Sequence, residues 1–260
     1  MRLWLAATCL CLSAPALTDT GPWRASYTDW EKDQPERRAY KLGYQYRNNE
    51  HLRDYQYIHQ PLLIRTGDPG HNGYFHQFDA RHGYALDNLW IEAQLGVHGS
   101  SNIFKYQRFH RQALVTTFHA HWTPDAGPSA VGINGDYRFG GFKVYPHLRL
   151  ERELPGATEL VLELPIGVHW RAANQRWQLG FERYGEKWGA LDSERELKTA
   201  TYLREWRLQA LWRAPLQGRL SAQVHMGVSF DSRFRQYDLA EGWQTLNLDD
   251  ASYLGFGFNW

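Results

Sequence analysis

The last ten residues, Ala251 to Trp260, read ASYLGFGFNW. Leu254, Phe256, Phe258 and Trp260 fall on one parity, and Tyr253, Gly255, Gly257 and Asn259 on the other. Successive side chains of a strand point to opposite faces. This stretch therefore reads as a strand with one face of large apolar and aromatic groups and one of small or polar groups. The same alternation recurs upstream. Leu220, Ala222, Val224, Met226, Val228 and Phe230 oppose Ser221, Gln223, His225, Ser229 and Asp231. Trp206, Leu208, Ala210 and Trp212 oppose Glu205, Arg207, Gln209 and Arg213.

Working back toward the N-terminus, Trp177, Leu179 and Phe181 oppose Gln178, Gly180 and Glu182, and residues 160–170 read as one strand with Leu160, Leu162, Leu164, Ile166, Val168 and Trp170 on its apolar face. Further alternating runs lie near 143–151, 131–139, 114–122, 89–98, 74–84, 57–66 and 40–46. Turn residues punctuate them: Asp87-Asn88, Gly140-Gly141, Ala172 to Asn174 and Pro215 to Gly218. The count is about 12 strands of about 10 residues, the length a tilted strand needs to cross the hydrocarbon of a bilayer. Residues 185–200 and 232–250 read as long polar loops. Short and long connections alternate through the second half. The first half breaks the rule: 87–88 is short where a long loop is due, and 98–112 is long where a tight turn is due.

A final strand ending on Trp, with apolar residues at alternate positions before it, resembles the bacterial outer-membrane β-barrels, whose assembly machinery reads that ending. The resemblance implies an all-β, closed antiparallel transmembrane barrel with short periplasmic turns and longer outer loops. It also implies an assembly signal at Phe256, Phe258 and Trp260. Outer-membrane lipid and the barrel assembly machinery are then the expected partners, and the outer membrane of a Gram-negative envelope the expected location.

The N-terminus agrees. MRLWLAATCLCLSAPA has a positive residue, Arg2, and an apolar run from Leu3 to Leu12 too short to span a bilayer. Ala14-Pro15-Ala16 is an A-x-A cleavage site, so residues 1–16 are expected to be a signal peptide. Both cysteines, Cys9 and Cys11, lie within it, so the mature chain is expected to hold no disulfide; a lipidated Cys11 would need a small residue where Leu10 stands. Residues 17–38 lack a period and read as a periplasmic lead-in, which leaves 39–260 for the barrel. A mean hydropathy of −0.61 suits a barrel, since only alternate residues face lipid. So do the 12 Trp and 15 Tyr, whose rings favour membrane interfaces. The net charge of +1 points to no nucleic-acid partner. A soluble sandwich or soluble barrel is the alternative reading of the same alternation.

The polar face carries Lys143, Arg149, Glu151, Glu163, Arg171, Glu182, Glu205 and Arg207, the candidate pore-lining residues. Rings of such charges set ion and solute selectivity. The favoured expectation is a narrow, porin-like channel or transport protein for small polar solutes, and not an enzyme. One alternative is a lipid-modifying hydrolase. Outer-membrane lipid hydrolases use a His-x-Ser pair, in which the His accepts the Ser proton; His98-Gly99-Ser100 has that form. Against it, Ser101 stands where their motif has Asn, and His98 shares the parity of Glu92 and Gln94, the inward side. A third reading is a non-conducting structural or surface-binding barrel whose loops at 185–200 and 232–250 meet a partner. His119 and His121 share a face at a spacing that can hold a metal between strands, but no carboxylate or Cys on that strand completes a site. They read as lumen histidines bonded to neighbours. No metal and no cofactor are expected.

Overall fold

A computed structural model describes residues 22–31, 36–48, 50–63, 73–124, 128–156, 158–191, 198–238 and 242–260. The expected signal peptide, residues 1–16, lies outside them. The described residues form one 15-stranded sheet. Its first half holds β1 (Trp23–Glu31), β2 (Glu36–Arg47), β3 (His51–Leu63), β4 (Gly73–Leu86), β5 (Leu89–Ser100), β6 (Leu114–Trp122) and β7 (Ser129–Asp136). The second holds β8 (Lys143–Leu154), β9 (Thr158–Leu164), β10 (Gly167–Arg171), β11 (Trp177–Leu191), β12 (Lys198–Pro215), β13 (Ser221–Asp238), β14 (Gly242–Asn247) and β15 (Ala251–Asn259). A short helix α1 (Ser101–Lys105) and a 3-10 turn (Arg111–Ala113) connect β5 to β6.

Each strand from β1 to β13 pairs antiparallel with the next, β13 pairs with β15, and β15 returns to β1. The ring therefore closes. At the seam, Arg24 stands opposite Asn259 and Glu31 opposite Ser252, and Trp23 and Trp260 exchange two backbone hydrogen bonds of 2.9 Å. β14 stands outside the ring, pairing with the far end of β13. Single-sheet closure rules out the sandwich alternative.

The ring has fourteen strands, not about 12, and the two extra ones have separate causes. The segment expected as a lead-in carries β1, in which Trp23, Ala25 and Tyr27 alternate with Arg24, Ser26 and Thr28 but Asp29 and Trp30 reverse the parity and cut the run short. The run read as one strand over 160–170 is a hairpin. Leu164-Pro165 is a cis peptide bond, and β10 folds back on β9 with Val168 opposite Leu162. Both arms keep the same apolar parity across the turn, so the hairpin looks like one strand. With β1 counted, the connections at 87–88 and 98–112 fall into place. The first lies at the end of the barrel where β1 begins and β15 ends, the termini of the described barrel; the second lies at the opposite end. The segments expected as long loops are also largely strand. β11 runs to Leu191 and β12 starts at Lys198, while β13 and β14 fill most of 232–247. Polar residues on both faces hid these extensions, because the period-2 signal needs one apolar face.

The parity is as expected. In β15 Ala251 and Tyr253 are buried, whereas Leu254, Phe256 and Phe258 are exposed. In β5 Ile91 and Leu95 are exposed and His98 is buried. Close strand contacts need glycine at some inward positions. A Cβ on Gly132 of β7 would lie 1.9 Å from the Ala120 carbonyl oxygen and 2.7 Å from the His121 Cα. Both atoms are backbone and cannot swing away. Gly132→Ala is therefore expected to pry β6 from β7 and lower the yield of folded, heat-modifiable protein several-fold on a semi-native gel.

The barrel narrows away from the termini. β6 pairs with β5 only as far as Val97, and β10 pairs with β11 only as far as Glu182. Beyond that level the freed edges of β5 and β11 meet, with Gly99 bridged to Gly189 in parallel. The arc β6–β10 thus stops short, and α1 and the 3-10 turn pack above it against β11.

Candidate functional site: the lumen and its plug

The inward side chains form layers along the bore. Nearest the termini, Asp54 is 1% exposed and takes Arg24 and Arg81, the latter at 3.2 Å; Arg81 also reaches Glu92 at 3.3 Å. One layer further, Asp79 accepts from Gln94 at 2.6 Å and Gln56 at 3.0 Å and lies 2.7 Å from His98 Nε2. Deeper still, Glu205 receives both guanidinium nitrogens of Arg37, at 2.9 and 3.1 Å, Arg207 Nε at 2.6 Å and Ser232 Oγ at 3.2 Å. Arg37 in turn lies 4.0 Å over the Trp30 ring, and Arg207 lies 3.2 Å over Tyr184. A forked guanidinium matches a carboxylate bidentately, so Glu205 is held by geometry as well as charge.

At the narrow end the polar layers give way to an apolar plug. Phe75, Trp188, Leu203 and Phe234 pack together, with Tyr184, Leu246 and Leu248 against them. Trp188 is 1% exposed, and its ring centroid lies 5.1 Å from that of Phe75. On the other side of the β5–β11 contact a second cluster of Ile103, Ala113 and Leu191 seats the helix and the 3-10 turn.

The candidate pore-lining residues all lie on the inward parity, but most are paired. Arg149 engages Glu151 and, at 3.5 Å, Glu163. Arg171 lies 3.0 Å from Glu159, and Glu182 accepts from Gln209 at 2.9 Å. Glu205 and Arg207 belong to the layer described above. Lys143, the first residue of β8, is exposed at the rim. Nothing in the sequence points to Arg37, Asp54 or Trp188 as members of these layers and of the plug. Their neighbours in space are far off in sequence, and Arg37 lay in the segment read as lead-in.

His98 and Ser100 do not form a catalytic pair. His98 Nδ1 lies 3.1 Å from the Lys187 carbonyl and Nε2 faces Asp79; Ser100 Oγ accepts from the Leu191 amide at 3.2 Å. Each is tied to a different part of the inner wall. His119 and His121 are bonded to each other at 2.6 Å, His119 also reaches Asn134, and the His147 ring centroid lies 4.7 Å from that of His119. Among the described residues no group of three or more His, Cys, Asp or Glu is placed to hold a metal ion.

No family model matches the chain, and no curated protein does. Three solved structures share its general form. One comes from work on the in-meso crystallization of membrane proteins: 7% identity, 92% of this chain and 83% of that one, TM-score 0.32. The second is Wzi of Escherichia coli, an outer-membrane protein involved in group 1 capsule assembly and a carbohydrate-binding β-barrel: 8% identity, 93% and 84%, TM-score 0.32. The third is the β domain of the Bordetella autotransporter BrkA: 9% identity, 92% and 99%, TM-score 0.27. At these scores none carries an argument about this chain. The closed antiparallel barrel stands on the pairing of its own strands.

Proposed function

We propose that the chain is a membrane-spanning barrel of a Gram-negative outer membrane, closed to solutes at rest, that acts through its outer wall and rim. The observation that supports the membrane placement is the outward face. Leu42, Phe78, Ile91, Leu95, Ile133, Val144, Leu208 and Leu254 are all exposed there. Soluble proteins rarely leave so large a contiguous apolar surface uncovered. Aromatic residues bound it. Trp23, Tyr46, Tyr84, Trp122, Trp177 and Trp260 are exposed at the strand ends near the termini. On β4 exposed Tyr84 and Tyr74 mark its two edges. Ten residues at ~3.4 Å each and a tilt of ~45° span about 24 Å, close to the ~25 Å apolar band of outer-membrane barrels.

Closure at rest rests on the apolar plug. Fourteen strands lie between the size that side chains fill and the size that holds an aqueous channel, and here the narrow end is packed. The solute channel is the second reading. It is favoured by the mixed Arg and Glu side chains that remain partly accessible on the inner face of β8 to β11. Planar-bilayer recording separates the two. The purified protein is expected to be silent at all voltages; regular conductance steps would favour the channel. The membrane placement is tested separately by heat-modifiability of extracted envelopes: the unboiled protein is expected to migrate faster than the boiled one. A monodisperse native protein in detergent-free buffer would overturn it.

A further inference from the structure

The outer wall carries a hydroxyl–imidazole pair that the lumen chemistry does not use. Ser101 is the next outward position after Val97 and Gly99, just past the end of β5. Its Oγ lies 2.8 Å from His76 Nε2. His76 is on β4, two residues beyond exposed Phe78 on the same face, and its Nδ1 lies 2.8 Å from the Tyr57 hydroxyl. Gly99 is directly opposite His76 in the sheet and has no side chain to separate the pair. Phe104 from α1 covers the pair from one side, edge-on to His76 with centroids 5.5 Å apart and packed on Phe78 and Phe109. A hydroxyl, an imidazole and a group that can orient it are thus joined by two hydrogen bonds across three neighbouring elements.

Below the pair a shallow, open apolar groove of about 610 Å³ lies on the outer wall, next to the pair but not lined by it. Tyr57, Phe78, Leu95 and Val97 line the part nearest the pair, and Leu42 and Trp23 the part toward the termini. The pair lies level with the aromatic edge marked by Tyr74, where the head and ester groups of a lipid would sit; the groove descends into the apolar band.

We propose that Ser101 and His76 form an acyl-ester hydrolase site for a membrane lipid whose acyl chain occupies this groove. The proposal rests on the membrane placement above. In the active tautomer Nδ1–H donates to the Tyr57 oxygen and Nε2 accepts from Ser101. The competing acceptor for the hydroxyl, the Tyr74 carbonyl, is further off at 3.3 Å. Ser101 Oγ bonds to the ester carbonyl carbon while its proton passes to Nε2. The carbon–oxygen bond to the alcohol breaks, and the alcohol leaves with that proton. Water then attacks the acyl-serine, gives a proton to Nε2, and the fatty acid departs as Ser101 regains its hydrogen. Tyr57 is a positioning residue, holding the imidazole tautomer.

The test uses the full protein refolded in detergent and mixed with vesicles of diacyl phosphatidylethanolamine, or in a second arm with acylated lipopolysaccharide. Fatty-acid release in either arm is expected, and the arm that responds identifies the lipid. A lipophilic fluorophosphonate is expected to label Ser101, located by mass spectrometry of the peptide. Ser101→Ala and His76→Gln are each expected to lower release more than 100-fold while keeping heat-modifiability; Ser100→Ala is expected to keep it. Tyr57→Phe is expected to lower kcat about tenfold with KM unchanged and to shift the pH profile of labelling. A heat-modifiable protein with no release in either arm, or a label on another serine, overturns the proposal and leaves the barrel intact. A protein that is not heat-modifiable and needs no detergent overturns both.

Discussion

Glu205→Ala is expected to destabilise the barrel by about 3–5 kcal/mol, the cost of leaving buried charge without its partner. Two guanidinium groups share this carboxylate. Arg37 is 2% exposed and Glu205 1%, so water cannot take over the solvation that the carboxylate supplies. Arg37 sits on β2, Glu205 and Arg207 on β12, and Ser232 on β13. The network thus ties a strand near the start of the chain to two near its end. Denaturant unfolding in detergent micelles checks the magnitude. A control follows from the same physics. Replacing Glu205, Arg37 and Arg207 together by apolar residues of similar volume is expected to cost much less than the single change, because no orphaned charge remains. Equal losses in the single and triple variants would show that the layer acts by shape and not by charge.

Trp188→Ala is expected to cost about 3–5 kcal/mol, the usual range for deleting a large buried aromatic side chain, and to change the electrical behaviour as well. The indole fills the centre of the plug, between Phe75, Leu203 and Phe234. Its removal leaves a void at the narrowest level of the bore. The variant is expected to show brief, irregular openings in planar bilayers where the parent shows none. Silence in a folded Trp188→Ala variant would mean that the ion-paired layers below, and not the plug, form the principal barrier.

The barrel was legible in the sequence because its selection rule is simple. One face must be apolar and the other need not be, so Leu254 to Trp260 and Leu89 to Val97 declare their parity without any knowledge of neighbours. What failed had a local physical reason. β1 alternates only from Trp23 to Thr28; Asp29 and Trp30 then reverse the parity, and the run is too short to stand out. The β9–β10 hairpin keeps its parity through Pro165-Ile166, and the break is invisible. Where β11 to β14 rise beyond the apolar band, neither face needs to be greasy and the period disappears. The site was less legible still. His98 and Ser100 were near in sequence but are held apart by Asp79 and Leu191. His76 and Ser101 are 25 residues apart and meet only because β4 and β5 pair in the register that sets His76 against Gly99.

The bridge between Gly99 and Gly189 has a consequence for how the molecule could exchange material with its surroundings. Five strands are excluded from the ring above that contact, so the bore tapers into a floor and the whole becomes a cup. On the closed reading proposed above, a molecule entering the bore at the end where β1 begins and β15 ends would meet a charged interior and a packed floor. Such a vessel would communicate with one compartment only, whatever calibre its strand number suggests.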